Sequence, residues 1–501
     1  MDDAATKVPA KPKYLPVDRS QTRLLPLDYD CLIPADHPAR GIWKLLEGID
    51  LTAFDCDVRS FQGQAGRPRV SPHLLASVWI YGYRIGVSSA RALERMMSWE
   101  PGLRWLCADQ EVNYHTLSDF RVKDKRQHDT LLAKVLTALQ KAGLVDLKLV
   151  TQDGTKIRTR GGKQSMRRRG TIERELQAAR DYIDETDRHA TENEALDERH
   201  RAAQARAARE RQERLEACLK ELEAREQRTP AKKRDQIRIS TSETEAPKMK
   251  HPDGSYAPSR NVQFSTDAKA GVIVAVSVTT DANDSKQAEP ALAEIEKNCG
   301  RKPGCLLADN GYASRGNVEA LAQSQVEFIA PWKDEKSRQA GATAANRVDS
   351  AFAASVFVWD AGQKLFVCPA GKQMQYVKQG KYHGQTCQIY AAAAEDCGGC
   401  AHAAQCCGKK RGPRQVRRRL ESEAMQIYLE RMGDPKTQEL YKRRSQVAET
   451  PHMRIKENWK WRRFSVRGLA NSAKEAIWVA LAYNVQVWTR LCWTGKAATA
   501  A

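Results

Sequence analysis

The chain has 501 residues, 41% of them apolar, and carries 82 Lys and Arg against 62 Asp and Glu for a net charge of +20. This is enough for two to four domains with real cores, and so large a basic excess points to a polyanionic partner, nucleic acid first. The opening Met1-Asp2-Asp3 has no apolar run and the longest apolar stretch, 476–483, falls far short of the roughly 20 residues a span requires, so neither export nor a membrane is expected and a cytoplasmic location is.

Residues 1–20, polar and holding Pro9, Pro12 and Pro16, read as a flexible tail. Residues 21–146 carry helical patterning with short breaks. Ser71-Pro72 supplies a cap and first-turn proline ahead of Leu74, Leu75, Val78, Trp79 and Tyr81, and Ser88 or Ser89 opens a second helix through Ala92, Leu93, Met96 and Met97. Two helices joined by Gly86-Val87-Ser88 read either as a helix-turn-helix or as part of a packed bundle, with a further short helix over 116–122. This domain is the natural candidate for reading DNA.

A strand over 147–151 then leads into Gln152-Asp153-Gly154-Thr155-Lys156, where an apolar run meets an acid and a glycine as a buried strand meets a turn. The insertion 160–233 opens with Arg160, Lys163, Arg167, Arg168 and Arg169 and continues as a long Glu-, Arg- and Ala-rich helix or helical hairpin. Its apolar stripes are Ile172, Leu176, Ala179 and Ile183, and Leu215, Leu219 and Leu222. A self-packed helical pair and a dimerisation or DNA-clamping arm both fit that pattern. Strands resume at 261–266 and 272–278, joined by a turn at 267–271, and a helix over 288–297 leads to the strand Cys305-Leu306-Leu307-Ala308. That strand ends in Asp309-Asn310-Gly311-Tyr312. In open α/β sheets ligands bind at the carboxyl ends of strands, which is where Asp153 and Asp309 are expected.

Six of the 13 cysteines fall between Cys368 and Cys407, and neither the compartment nor the odd number favours disulfides. Cys397-Gly398-Gly399-Cys400 is a pair with the spacing of half a zinc site, so a structural Zn²⁺ on Cys368, Cys397, Cys400 and Cys406 stands beside reduced, metal-free thiols as a reading of the 348–419 insertion. Cys407, Cys387 and His402 compete as the fourth ligand. Beyond it, Tyr441, Arg444, Glu449 and Lys456 lie in a cation-rich segment of helical composition, where acid and base can address one phosphate. Pro451 is expected to break that helix, with Thr450 capping a new one, which would leave Glu449 at a kink. Trp459 and Trp461 flank Lys460 and read first as core packing, second as a stacking platform for a base. Ile477, Leu481, Val485 and Trp488 mark one face of a closing helix.

Asp-Gly-Thr-Lys at 153–156, Ala-Asp-Asn-Gly-Tyr at 308–312 and the series Tyr441, Arg444, Glu449, Lys456 resemble, in order, the three catalytic blocks of DDE transposases from bacterial insertion sequences, in their InsH-like branch. The likeness extends to Leu117-Ser118-Asp119-Phe120-Arg121 and to Arg463-Phe464 and Arg467-Gly468, and so covers nearly the whole chain. One spacing differs, because four residues rather than three separate Arg444 from Glu449. The resemblance implies an α/β fold with an RNase H-like core (147–159, 234–347 and 420–495), in addition to the helical amino-terminal domain, the helical insertion and the Cys-rich insertion. It implies Asp153, Asp309 and Glu449 as catalytic carboxylates holding Mg²⁺ or Mn²⁺, Lys156, Tyr441, Arg444 and Lys456 as DNA or phosphate contacts, and a homodimer or higher multimer on terminal and target DNA. Two rival readings are a nuclease of the same fold that does not join DNA, and a DNA-binding descendant without chemistry.

Overall fold

The structure is a computed structural model, and it describes residues 28–56, 68–189, 198–332, 348–382, 385–408 and 412–493. The expected tail at 1–20 lies outside the described residues, as do Lys409, Lys410 and Arg411.

Among the described residues six strands make the central sheet, namely β1 (Leu149–Arg158), β2 (Tyr256–Asp267), β3 (Ile273–Thr279), β4 (Cys305–Ala308), β5 (Glu327–Ile329) and the short strand Lys248–Lys250, which pairs antiparallel with the start of β2. The order of β1 to β5 across the sheet is β3-β2-β1-β4-β5. β2 runs antiparallel to both β1 and β3, whereas β1, β4 and β5 are mutually parallel. The β2–β3 hairpin closes at Gly271, whose φ of +75° suits glycine alone, and the return to a parallel β4 uses the helix Ala288–Cys299 as its crossover.

Alternation along the strands sends side chains to two faces, and both are covered. Leu149, Cys305, Leu307 and Ile329 pack under the helix Pro435–Met453 through Leu440 and Tyr441. Val150, Leu306, Ala308 and Phe328 join the main core on the other face. That main core also contains the amino-terminal helices, because the helix Leu469–Trp488 is buried almost all round and packs on β3 and on the helices Pro72–Arg84 and Lys125–Lys141 together. Asn484 exchanges two 2.8 Å hydrogen bonds with the Ile273 backbone, and Trp478 Nε1 donates to Arg121 O at 3.3 Å. The helical region and the sheet therefore share one hydrophobic core.

The caps lie where the sequence places them: Ser71 accepts from His73 N ahead of Pro72–Arg84, and Ser89 from Ala92 N ahead of Ala90–Met96. The insertion forms two helices, Arg169–His189 and Glu198–Gln227, joined through Ile172, Leu176 and Ala179 against Leu215, Cys218 and Leu222. Residues 358–419 build a separate five-stranded antiparallel sheet on Phe357, Phe366, Met374 and Tyr390. Among the described residues no helix is long and apolar enough to cross a membrane.

Two local expectations are corrected. β1 does not end at Asp153 but continues to Arg158, because β2 pairs with it along the whole stretch from Val150 to Arg158. Pro451 does not break the helix Pro435–Met453: it is buried inside it, and Thr450 Oγ1 donates back to Gln446 O at 2.6 Å instead of capping a new helix. Burial against the sheet offsets the hydrogen bond that proline removes, and the distortion appears afterwards as a π-helical turn over Arg454–Asn458.

Candidate active site

The site arises from a mismatch in strand length. β4 pairs with β1 only through Gln152↔Ala308, so β4 stops while β1 runs on, and the next residues of the two strands, Asp153 and Asp309, emerge side by side at a notch in the sheet. Asp153 faces the helix Pro435–Met453, as does its partner across the ladder, Phe264. Gly154 faces the other way. A Cβ there would meet Asp284 Oδ1 and Gln263 Nε2 at 2.5 Å, so glycine is required for a third carboxylate to approach the notch from the opposite face.

Asp284, in the loop after β3, is fixed by Asn261 Nδ2 and Gln263 Nε2, each donating at 2.7 Å. Its other oxygen points toward Gly311, beside Asp309 Oδ1. Tyr312 donates to Gln263 Oε1, completing a buried polar floor. Asp284 is the functional candidate that the sequence reading missed. The signal available was the acid-rich Asp281-Ala282-Asn283-Asp284 directly after a buried strand.

Over Asp153, the helix presents Tyr441, Arg444, Ala448 and His452 on one face, at helical spacing. Arg444 lies 3.3 Å from Asp153 Oδ1, and Tyr441 bonds to Arg444 and senses both Asp309 and Asp153. His452 Nε2 is 3.6 Å from Asp153 Oδ2, but burial, followed by Lys456 and Arg444, drives the imidazole down to about 3, so at neutral pH this is a neutral ring beside the acid and not an ion pair. Burial first, then the repulsion of Asp309 and Asp284 working against Arg444, pushes Asp153 up to about 6. Lys456 is lowered by burial and by Arg462, while Asp153 holds it up. Arg444 Nε and both His452 nitrogens are buried without a hydrogen-bond partner.

Asp153, Asp309, Tyr441, Arg444 and Lys456 are thus brought together, and two of the named residues are not. Glu449 follows the inward-facing Ala448 by one residue, is exposed, and forms no hydrogen bond or ion pair among the described residues. Lys156 Nζ donates to Lys250 O at 3.1 Å, away from the acids. Trp459 and Trp461 are core residues, since both are buried, Trp461 Nε1 donates to the buried Glu475, and Trp459 packs on Tyr483.

Cys368, Cys397, Cys400, Cys406, Cys407 and His402 line one cavity of ≈ 30 Å³, whereas Cys387 is buried in the neighbouring sheet opposite Arg419. Among the described residues, no three or more His, Cys, Asp or Glu side chains are gathered closely enough to hold a metal as they stand. For the thiols this leaves zinc without support, and Cys387 is corrected as a ligand candidate. The donor chemistry of the carboxylates is different, because crowded, partly buried acids carry a repulsion that a hard divalent cation relieves.

Residues 228–485 match a family model described as Transposase DDE domain, and residues 27–123 match Transposase domain (DUF772). Asp309, Glu449 and the helix around them lie inside the first span, and Asp153 lies in neither. Among solved structures, the chain is similar to the piggyBac transposase in its synaptic complex with hairpin DNA, at 10% identity and a TM-score of 0.33, covering 93% of this chain and 77% of that one. No curated protein matches the chain.

Proposed function

The chain belongs to the DDE transposases of the insertion-sequence type, and from that premise we propose that it binds the terminal DNA of an insertion element, cleaves it, and transfers the freed 3′-hydroxyl to target DNA. The observation that carries this reading is the meeting of Asp153 and Asp309 at the end of β4, beneath the half-buried Arg444. We read the sheet as an RNase H-like core, which its β3-β2-β1-β4-β5 order, with antiparallel β3 and β2 beside parallel β1, β4 and β5, supports.

Asp153 and Asp309 would hold Mg²⁺ or Mn²⁺, with Asp284 or Glu449 completing the oxygen set. When bound, the cations would supply charge stabilisation at the scissile phosphate and a more acidic attacking oxygen. The chain's own groups do the positioning. Arg444, with an unpartnered Nε, offers its guanidinium fork to phosphate oxygens, and the Tyr441 hydroxyl beside it orients the backbone. Lys456 adds positive charge one turn beyond His452, which fills the space against Phe264 and keeps water from that side of Asp153. Action on two element ends by two or more subunits would give the binding its multivalency.

The test is a plasmid carrying the element's two ends, incubated with the purified chain and Mg²⁺ or Mn²⁺. Wild type is expected to cut at the ends and join them to target, and Asp309→Asn and Asp153→Asn to lose on the order of 10³-fold in cleavage, about 4 kcal/mol of barrier. Cleavage without joined products would make it a nuclease, and intact cutting by both variants would overturn the assignment of the acids.

A further inference from the structure

Away from the acids, a cleft of ≈ 620 Å³ opens between the amino-terminal helices and the segment that follows the helix Pro435–Met453. Its walls contain Arg91, Arg121, Arg160, Lys460, Arg462 and Arg463 and, among the described residues, no Asp or Glu. Two of these cations are already engaged. Arg121 is buried and donates to Ser88 O at 2.6 Å and Ser465 Oγ at 2.8 Å, and Arg462 pairs with Glu457. The other four are exposed and have no carboxylate partner among the described residues. Arg91 lies over the Tyr114 ring at 4.7 Å, and Arg160 reaches only a backbone oxygen, that of Ser465, at 3.4 Å. Like charges collected in a concave wall concentrate an attractive field for anions.

The frame that presents them is rigid. Arg158 N donates to Arg462 O at 3.2 Å and Phe464 N to Arg158 O at 2.8 Å, so the segment is stitched to the far end of β1. Glu475, fully buried, accepts from Ser465 N, Ser465 Oγ and Val466 N, and Ser465 in turn holds Arg121. Gly86, at φ +78°, comes so near that a Cβ would stand 3.0 Å from Trp459 O. The segment opens with the π-helical turn at Arg454–Asn458 and carries Lys460 at φ +57°, in the left-handed region that favours glycine. Lys456, which feels both Asp153 and Arg462, links the cleft to the acids.

We propose that this cleft binds the phosphodiester backbone of DNA next to the scissile phosphate, with Arg91, Arg160 and Arg463 each gripping a neighbouring phosphate. The proposal rests on the transposase reading and adds to it a site that holds the DNA backbone beside the acids. Contacts to phosphates carry no sequence information directly, so the contact is independent of the DNA sequence.

The experiment measures binding of the full chain to a fluorescein-labelled duplex of mixed sequence, in EDTA, across a salt titration. The triple variant Arg91→Ala, Arg160→Ala, Arg463→Ala is expected to bind at least tenfold more weakly, with the slope of log affinity against log salt shallower by about 2 to 3, since each phosphate contact contributes about 0.9. The triple Arg→Lys variant is expected to keep the slope. An alanine triple that melts as wild type does and retains both affinity and slope overturns the proposal. Should that triple fail to fold, Arg91→Gln and Arg463→Gln decide singly, an unchanged slope in both counting against it. Failure of wild type to bind or cut DNA would remove the transposase reading and this site with it, whereas wild-type cutting beside an unaltered triple removes the cleft alone.

Discussion

The carboxylates of the β1–β4 notch and the thiols of the 358–419 sheet are both collections of potential metal ligands, yet the fold leaves them in opposite electrostatic states. At the notch, Asp153 is lifted to about 6 by burial and by two neighbouring acids, with Arg444 seated on it and a neutral His452 alongside. Around the thiols, burial pushes Cys406 up to about 11 against the pull of Arg414, and the neighbouring Cys407, Cys397 and Cys368 raise it further. Lys372 N donates to Cys368 Sγ and Arg414 N to Cys397 Sγ, and both cysteines are half-buried. Ligand spacing alone does not separate the two cases.

The sharpest way to break that contrast is the cleavage assay with Asp153→Asn and Asp309→Asn, where on the order of 10³-fold is at stake. Next comes stability. A carboxyl whose folded pKa lies above its unfolded value of 3.8 penalises the fold when ionised, fully above about 6 and not at all below the unfolded value. Asp153→Asn is therefore expected to stabilise the metal-free protein by up to about 3 kcal/mol at pH 8 and by much less at pH 4, read from urea midpoints in EDTA. Equal midpoints for the variant and wild type at pH 8 would contradict the burial and crowding described for Asp153. A smaller effect, about 10- to 100-fold in cleavage, is expected for Asp284→Asn, which removes a carboxylate from the floor without touching Asp153 or Asp309. Activity at the wild-type level would show that Asp284 only shapes the loop. The smallest effect belongs to the thiols: Cys400→Ser, or treatment with a zinc chelator, is expected to change the melting point by the equivalent of about 1 kcal/mol or less. A collapse of the 358–419 sheet on chelation, with zinc released, would reverse the contrast.

How far the site was legible follows from which residues interact locally. Asp153 and Asp309 stood out because each follows an apolar run and precedes a glycine, and those glycines turn out to be needed for close approach, by Asp284 at Gly154 and by Asp309 itself at Gly311. Tyr441 and Arg444 were found through the ordered series, and His452 was available at the same helical spacing but was passed over. At Glu449 the ordered series and the phase of the helix part. The residue completes the family series, yet the helix turns Ala448 and His452 inward and leaves Glu449 exposed, because Pro451 is absorbed into a continuous helix and does not reset its phase.

By itself the sequence determined the local elements: the caps at Ser71 and Ser89, the apolar strands, the helical stripes of the insertion, the basic balance and the family of the chain. These depend on backbone preferences and side-chain periodicity within a few residues, which any segment carries with it. Only the tertiary structure decided that β4 stops one residue before Asp309 while β1 runs on, that Asp284 enters from the far face, that Glu449 points outward, and that six cations gather in one cleft. Those outcomes depend on strand register and on packing between segments more than a hundred residues apart, and such pairings are fixed by the whole core at once.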